Sequence, residues 1–172
     1  MNDGLRDILN IKFPVMEIVR GTIVDGPGFR TSIYFAGCKH RCVGCHNPQS
    51  WEIENAKSLF SIKELIEIIE EENFDVTLSG GDPLYHYEFL PYLNREIKLR
   101  GKNLWIYTGY TWEEIMKSNF LFHAIKDADV LVDGRFDEST AEENIRFRGS
   151  GNQRIIDIQS SIKQGQPILW EE

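Results

Sequence analysis

Three cysteines, Cys38, Cys42 and Cys45, stand at the spacing C-x3-C-x2-C, and the chain contains no others. An odd number of thiols crowded into one short stretch suits neither a disulfide framework nor a secreted setting, so these side chains read as metal ligands or redox groups. Three thiolates can bind three irons of a cubane cluster whose usual complement is four ligands, which leaves one iron open to a ligand the protein does not supply. An electron-transfer site of the ferredoxin kind would normally be closed by a fourth cysteine. Two plainer readings stay open at this point. Zinc in a Cys3His site could recruit His40 or His46, although both lie in or beside the cysteine run, where a short loop would struggle to wrap a tetrahedral ion. A non-cysteine fourth iron ligand, as in Rieske centres, is the other.

The elements that must hold this loop alternate along the chain. Thr31 to Ala36 reads as a short buried strand that runs into the loop from Gly37 to Pro48. Ser61 with Glu64 forms a capping box opening a helix whose Ile62, Leu65, Ile66 and Ile69 make one apolar stripe. Val76 to Leu78 is the next strand and leads into the turn Ser79-Gly80-Gly81-Asp82-Pro83; a helical stretch from about Tyr87 to Leu99 then ends at Gly101. Leu104 to Tyr107 is a strand, Thr111 with Glu114 a second capping box, Phe120 to Lys126 a short helix, and Val130 to Val132 a strand ending in Asp133-Gly134-Arg135. Strands alternating with helices predict an α/β fold with a mainly parallel sheet, in which chemistry collects at the loops beyond the strands' C-terminal ends. The cysteine loop, the Gly80-Gly81 turn, Tyr107 to Tyr110 and Asp133 to Arg135 all fall at that edge.

The 172 residues, with 41% hydrophobic and 27% charged, are ordinary for a globular chain and predict one domain over 1–172 with a core at about 15–155. No apolar run approaches the ~20 residues a bilayer span needs, and Met1 to Asn10 lacks the pattern of a secretory signal, so the expectation is a cytoplasmic protein with no membrane partner. A net charge of −8 with no Lys/Arg run argues against nucleic acid. The acidic run Glu70-Glu71-Glu72 reads as the solvated end of a helix.

C-x3-C-x2-C directly after a strand, followed by a Gly-Gly-acidic-Pro turn after the next, resembles the radical S-adenosylmethionine superfamily. Asp25-Gly26-Pro27-Gly28-Phe29-Arg30-Thr31 and His46-Asn47-Pro48 narrow the resemblance to its glycyl radical enzyme activating family. Ser79 to Leu84, Tyr107 to Tyr110, Val132 to Phe136 and Arg148 to Arg154 are similar to those members that act on anaerobic ribonucleotide reductase. The likeness runs from Val15 to Arg154. It implies an open partial (β/α) barrel of the radical SAM type, and a [4Fe-4S] cluster on Cys38, Cys42 and Cys45 that cleaves S-adenosyl-L-methionine to place a radical on a glycine of anaerobic ribonucleoside-triphosphate reductase. A reducing donor such as flavodoxin or ferredoxin is implied as well.

The same resemblance places Gly44 and His46, either side of the cofactor-binding Cys45, against the adenine, Gly80 and Gly81 against the methionine end, and Asp133 and Arg135 toward the ribose and the methionine carboxylate. Asp82 stands where many superfamily members have glutamate and is expected to organise the turn; Thr108 is a further candidate. Other readings compete with several of these roles. Gly80 and Gly81 could merely permit a tight bend. His46 could be a solvated loop histidine, and Asp133 and Arg135 could each belong to an exposed surface salt bridge. Arg146, Arg148 and Arg154 could meet the partner or brace turns. Activators of other glycyl radical proteins, such as pyruvate formate-lyase, are generally longer and some carry extra cysteines; this chain has neither feature.

Overall fold

Two faces are written into the strands by period-two alternation, and the helices cover only one of them. In the computed structural model, which describes residues 7–142 and 144–172, the strands are β1 (Lys12–Thr22), β2 (Arg30–Phe35), β3 (Ser58–Ser61), β4 (Asp75–Gly80), β5 (Leu104–Tyr107), β6 (Val130–Asp133), β7 (Arg154–Asp157) and β8 (Ile168–Leu169). The first six residues of the N-terminal stretch discussed above lie outside the described residues. The helices are α1 (Ile62–Glu72), α2 (Leu90–Leu99), α3 (Trp112–Met116), α4 (Asn119–Ile125) and α5 (Ile158–Gln164). No helix is long and apolar enough to cross a membrane among the described residues.

The strands form one sheet in the order β3-β1-β2-β4-β5-β6-β7-β8. β2, β4, β5 and β6 pair in parallel, as the alternation of strand and helix predicts. The flanks differ: β3, β1 and β2 pair antiparallel, as do β6, β7 and β8, so the expectation of a mainly parallel sheet holds for its centre and not for its edges. β1 and β3 escape sequence reading for a physical reason. Phe13 to Met16 are buried in succession, with a register shift between Val15 and Glu17, so β1 shows no clean alternation. β3 is four residues long and leaves Leu59 exposed.

Both capping boxes form. The Ser61 hydroxyl accepts from the Glu64 N–H at 3.2 Å, and the Glu64 carboxylate accepts from the Ser61 N–H at 2.7 Å; Thr111 and Glu114 repeat the exchange at 3.2 and 2.8 Å. The stretch expected to be helical from Tyr87 begins as α2 only at Leu90, because Pro91 lacks an N–H and fits only the first turn. Ile62, Leu65, Ile69, Leu90, Leu93, Ile97, Trp112, Ile115, Ala124, Ile125 and Ile158 bring all five helices onto one core with Ile33, Phe35, Leu78, Leu104, Ile106 and Leu131.

The opposite face carries no helix in its apolar cluster. At its lower end Trp105, Val130 and Val132 pack with Phe147, Ile155 and Trp170. Beside them the fully buried Arg30 guanidinium lies 5.4 Å from the Trp105 ring and donates to Thr77 Oγ1 at 2.7 Å and to the Val76 carbonyl at 2.7 Å. Further along the same strands, Tyr34, Ser79 and Tyr107 line a cavity instead. The face is thus plugged at one end and open at the end where the parallel strands terminate.

Candidate functional site

β2 delivers the chain to the cysteine loop, and backbone bonds clamp the loop's base. The Ala36 N–H donates to the Pro14 carbonyl at 2.9 Å, Gly37 to Ser50 at 2.8 Å and Cys38 to Trp51 at 3.0 Å. Arg41 and Gly44, with φ of 50° and 73°, supply the left-handed backbone that lets so short a segment turn back on itself. Cys38 is buried, Cys42 and Cys45 are partly exposed, and all three line the same cavity of about 740 Å³. Burial pushes the Cys38 thiol above its ordinary pKa, so a metal must draw off that proton for the sulfur to ligate.

Three thiols lining one cavity suit a cubane, which gives each thiolate its own iron. Of the two histidines open to a zinc reading, His40 is engaged elsewhere: its Nε2 donates to Asp82 Oδ2 at 2.8 Å, while the His46 ring packs 4.6 Å from that of Phe136. A cavity of this size, walled on one side by three thiols, suits a nucleoside-sized cosubstrate.

Asp82, 2% exposed, ties three segments together. Its Oδ1 accepts from the Leu84 N–H at 2.8 Å, and its Oδ2 accepts from His40 of the cysteine loop, from Thr108 Oγ1 at 2.9 Å and from the Gly109 N–H at 3.1 Å. A Cβ on Gly109 would stand 2.3 Å from the His40 ring, so glycine there lets the imidazole sit flat on the turn. The expected turn-organising role of Asp82 therefore extends to the cysteine loop and to the end of β5. Asp82→Ala strands these donors inside the protein and should lower the unfolding free energy by about 3 kcal/mol. Thr108→Val removes one donor and should cost about 1 kcal/mol. Anaerobic urea titrations of both variants read the difference, and equal, small losses would show that Asp82 is no hub.

The remaining candidates divide. His46, Gly80, Gly81 and Thr108 line the cavity, although the Thr108 hydroxyl is spent on Asp82. Gly44 does not line it: a Cβ there would meet Glu138 Cδ at 2.9 Å. The reason for Gly80 also changes. With φ of 106°, its missing Cβ makes room for the β2 backbone, since an added one would lie 2.3 Å from the Phe35 nitrogen, rather than for a ligand. At Gly81 the added carbon would lie 2.5 Å from the Gly37 carbonyl oxygen.

Asp133 and Arg135 are drawn away from the cavity by protein partners. Asp133 is buried, accepts from the Trp112 N–H at 2.7 Å at the start of α3, and pairs with Arg154, which also clasps Glu113 at 3.0 and 2.8 Å and holds that carboxyl down at about 2. Arg135, 47% exposed in its side chain, forks onto Glu114 at 3.2 and 3.1 Å. Arg135 thus follows the reading of an exposed salt bridge, whereas Asp133 is in an ion pair but a buried one. Between them, Gly134 alone reaches the cavity.

Several lining residues carry no sequence signal strong enough to single them out. Asp25, hydrogen-bonded by the Tyr34 hydroxyl, sits in a quoted motif but on no regular element. Phe136, Arg148 and Gln153 likewise sit in quoted motifs, Arg148 as a candidate to meet the partner or brace a turn, and with Phe147 they come from an irregular segment with no periodicity to read. Gln153 holds that segment together: its Oε1 accepts from the Gly149 and Ser150 N–H groups at 2.8 and 3.1 Å, while its Nε2 donates to the Gly134 carbonyl at 2.9 Å.

Comparison with known proteins adds an independent line. A family model described as a 4Fe-4S single cluster domain matches residues 24–156. The anaerobic ribonucleoside-triphosphate reductase-activating protein of Enterobacteria phage T4 is 34% identical over 139 residues, spanning 77% of this chain and 86% of its own length. The proteins of the same name from Pasteurella multocida (strain Pm70) and Escherichia coli (strain K12) are 34% and 32% identical over 143 residues, again covering 77% of this chain and 90% and 91% of theirs.

Proposed function

Because the chain belongs to the anaerobic ribonucleoside-triphosphate reductase-activating protein family, we propose that it is a radical S-adenosylmethionine enzyme generating a glycyl radical on that reductase. The observation that carries this reading is the convergence of Cys38, Cys42 and Cys45, with no fourth cysteine in the chain, on one cavity of nucleoside size. A [4Fe-4S] cluster held by Cys38, Cys42 and Cys45 would supply the one electron for reductive cleavage of S-adenosylmethionine, with methionine as the leaving group and the partner's glycine as the source of the hydrogen atom.

The chain's own residues bind, orient and exclude water. Cys38, Cys42 and Cys45 hold the cluster; His46 and Phe136, ring to ring beside Cys45, form an apolar wall suited to the adenine. Gly80 and Gly81 bring β4 backbone to the cavity next to the cysteine loop, and the Gly81 and Asp82 N–H groups are already committed to Phe35 and Gly37 carbonyls at 2.8 and 2.9 Å. The turn is therefore rigid, and a ligand's amino group would find carbonyl acceptors rather than amide donors there. The reductase's glycine loop would close the cavity's open side and shield the radical from solvent.

The deciding experiment mixes the reduced, cluster-loaded chain with anaerobic ribonucleoside-triphosphate reductase and S-adenosylmethionine under argon. An electron paramagnetic resonance doublet on the reductase, lost when the acceptor glycine is replaced by alanine, is the expected result. Cleavage of S-adenosylmethionine with no radical on the reductase would assign the chain to another glycyl radical partner.

A further inference from the structure

A second cavity, of about 220 Å³, shares only His40 with the first among the described residues that line the two. Its walls include Leu84 beyond β4, Tyr110 beyond β5 and Leu121 of α4, whose side chains belong to the helix-covered core, so it opens on the helix side of the sheet. The one acid in its lining is Asp82, whose two oxygens already accept from four donors. The one lysine or arginine is Lys39, an exposed side chain that stands in the chain between Cys38 and His40. Its Nζ lies 5.5 Å from the Tyr85 ring centroid, and it makes no ion pair among the described residues. Arg41, the other exposed cation of the cysteine loop, is already paired with Glu52.

Charge here runs against the trend of the molecule. The chain carries 27 acids against 19 basic residues, yet residues 26 to 51 contain no acid at all, so the cysteine loop brings no carboxylate of its own to this surface. A free cation at such a place attracts a negatively charged partner that the rest of the chain would repel. Around Lys39 the rim is aromatic: Phe120, 71% exposed, lies 5.9 Å from the Tyr87 ring. Exposed rings beside a cation are the composition of a protein-binding surface. The cavity is also smaller than the roughly 300 to 1,000 Å³ of small-molecule sites, and so it suits a side chain protruding from another protein rather than a cofactor.

We infer that this surface docks an acidic electron-donor protein, one of whose carboxylates meets Lys39 at the small cavity. The inference rests on the functional reading above, since a cluster used reductively needs a donor. All three thiols of the chain are committed to one cluster, so no second iron–sulfur centre on cysteine can feed it from within. The reductase's glycine must enter the large cavity. A donor seated at Lys39 leaves that mouth free while standing one residue from Cys38, so the two proteins can be bound at once. At this surface one electron leaves the donor, which is oxidised, and enters the cluster, which is reduced; no bond forms or breaks.

The test uses the cluster-loaded chain under argon and a reduced flavodoxin chosen for its net negative charge. Lys39→Glu should lower flavodoxin affinity and the second-order rate of cluster reduction about tenfold, with the gap narrowing as salt is raised. Phe120→Ser should weaken binding about threefold or more through lost apolar contact. Reduction by dithionite, which needs no docking, and iron content should be unchanged in both. Lys63→Glu, the same charge change on α1, should leave flavodoxin binding as in wild type. Unchanged flavodoxin kinetics in Lys39→Glu and Phe120→Ser would overturn the assignment, and an equal loss in Lys63→Glu would overturn it by reducing it to overall charge. Equal slowing with dithionite would make Lys39 a support of the cysteine loop instead. Weaker binding of the reductase with flavodoxin unaffected would give the surface to the reductase and overturn it as well. A wild-type chain with the expected flavodoxin dependence that places no radical on the reductase would fail the functional reading and leave this docking surface standing.

Discussion

Cys45→Ala, purified and reconstituted anaerobically, is expected to hold no stable four-iron cluster and to have no activating capacity. The wild-type chain should bind about four irons and four sulfides. The chain has no spare thiol to replace the lost ligand, and His40 is committed to Asp82. Two remaining thiolates leave two irons open, and such a site loses iron rather than tolerating the gap. The same result should follow at Cys38 and Cys42. Iron and sulfide analysis with visible absorption gives the first reading and the glycyl radical signal the second. A Cys45→Ala chain that kept four irons and full activity would remove the cysteine loop from the chemistry, and a zinc-loaded, colourless wild-type chain would do so equally.

The second large effect is expected at Gly80. A valine there would drive its Cβ to 2.3 Å from the Phe35 nitrogen and 2.5 Å from the Phe35 oxygen, both backbone atoms of β2, at a φ of 106° that side chains rarely adopt. Backbone cannot step aside as a side-chain tip can, so the end of β4 must separate from the end of β2. That separation breaks the clamp beneath Cys38, because the Gly81 and Asp82 N–H groups bond to Phe35 and Gly37. Gly80→Val should therefore cost at least about 5 kcal/mol and take the cluster with it, through strain and lost pairing. Gly101→Ala is the control. Its φ is 70° but an added carbon meets nothing within 4 Å, so only the left-handed penalty of about 1 kcal/mol remains. Denaturant unfolding with parallel iron analysis separates the two, and a Gly80→Val chain as stable and as iron-rich as wild type would show that the strand ends are not coupled.

What the sequence determined by itself is what short-range geometry encodes. Capping boxes at Ser61 and Thr111, the apolar stripe of α1 and the four central strands are set by spacings of two to four residues, and they form as read. Cys38, Cys42 and Cys45 are equally local: eight residues of chain bring them to one loop whatever surrounds it. The order of strand and helix then assigns the loops to one edge of the sheet, since parallel strands share their C-terminal ends.

The tertiary structure decided which of the polar side chains gathered at that edge remain available. Arg135 and Arg148 have the same chemistry, and nothing local says that the first meets Glu114 across a turn while the second lines the cavity. Asp133 looks like a ligand-facing acid until Arg154, brought alongside by the antiparallel return of β7, neutralises it. Gly80 reads as a tight bend or a ligand approach, but the atom its side chain would strike belongs to β2, many residues earlier in the chain. β1 stayed hidden for the converse reason: its buried run has no period of its own and becomes a strand only by pairing with β2 and β3. A charge or a missing side chain takes its role from the nearest partner in space, and for these residues that partner is supplied by distant parts of the chain.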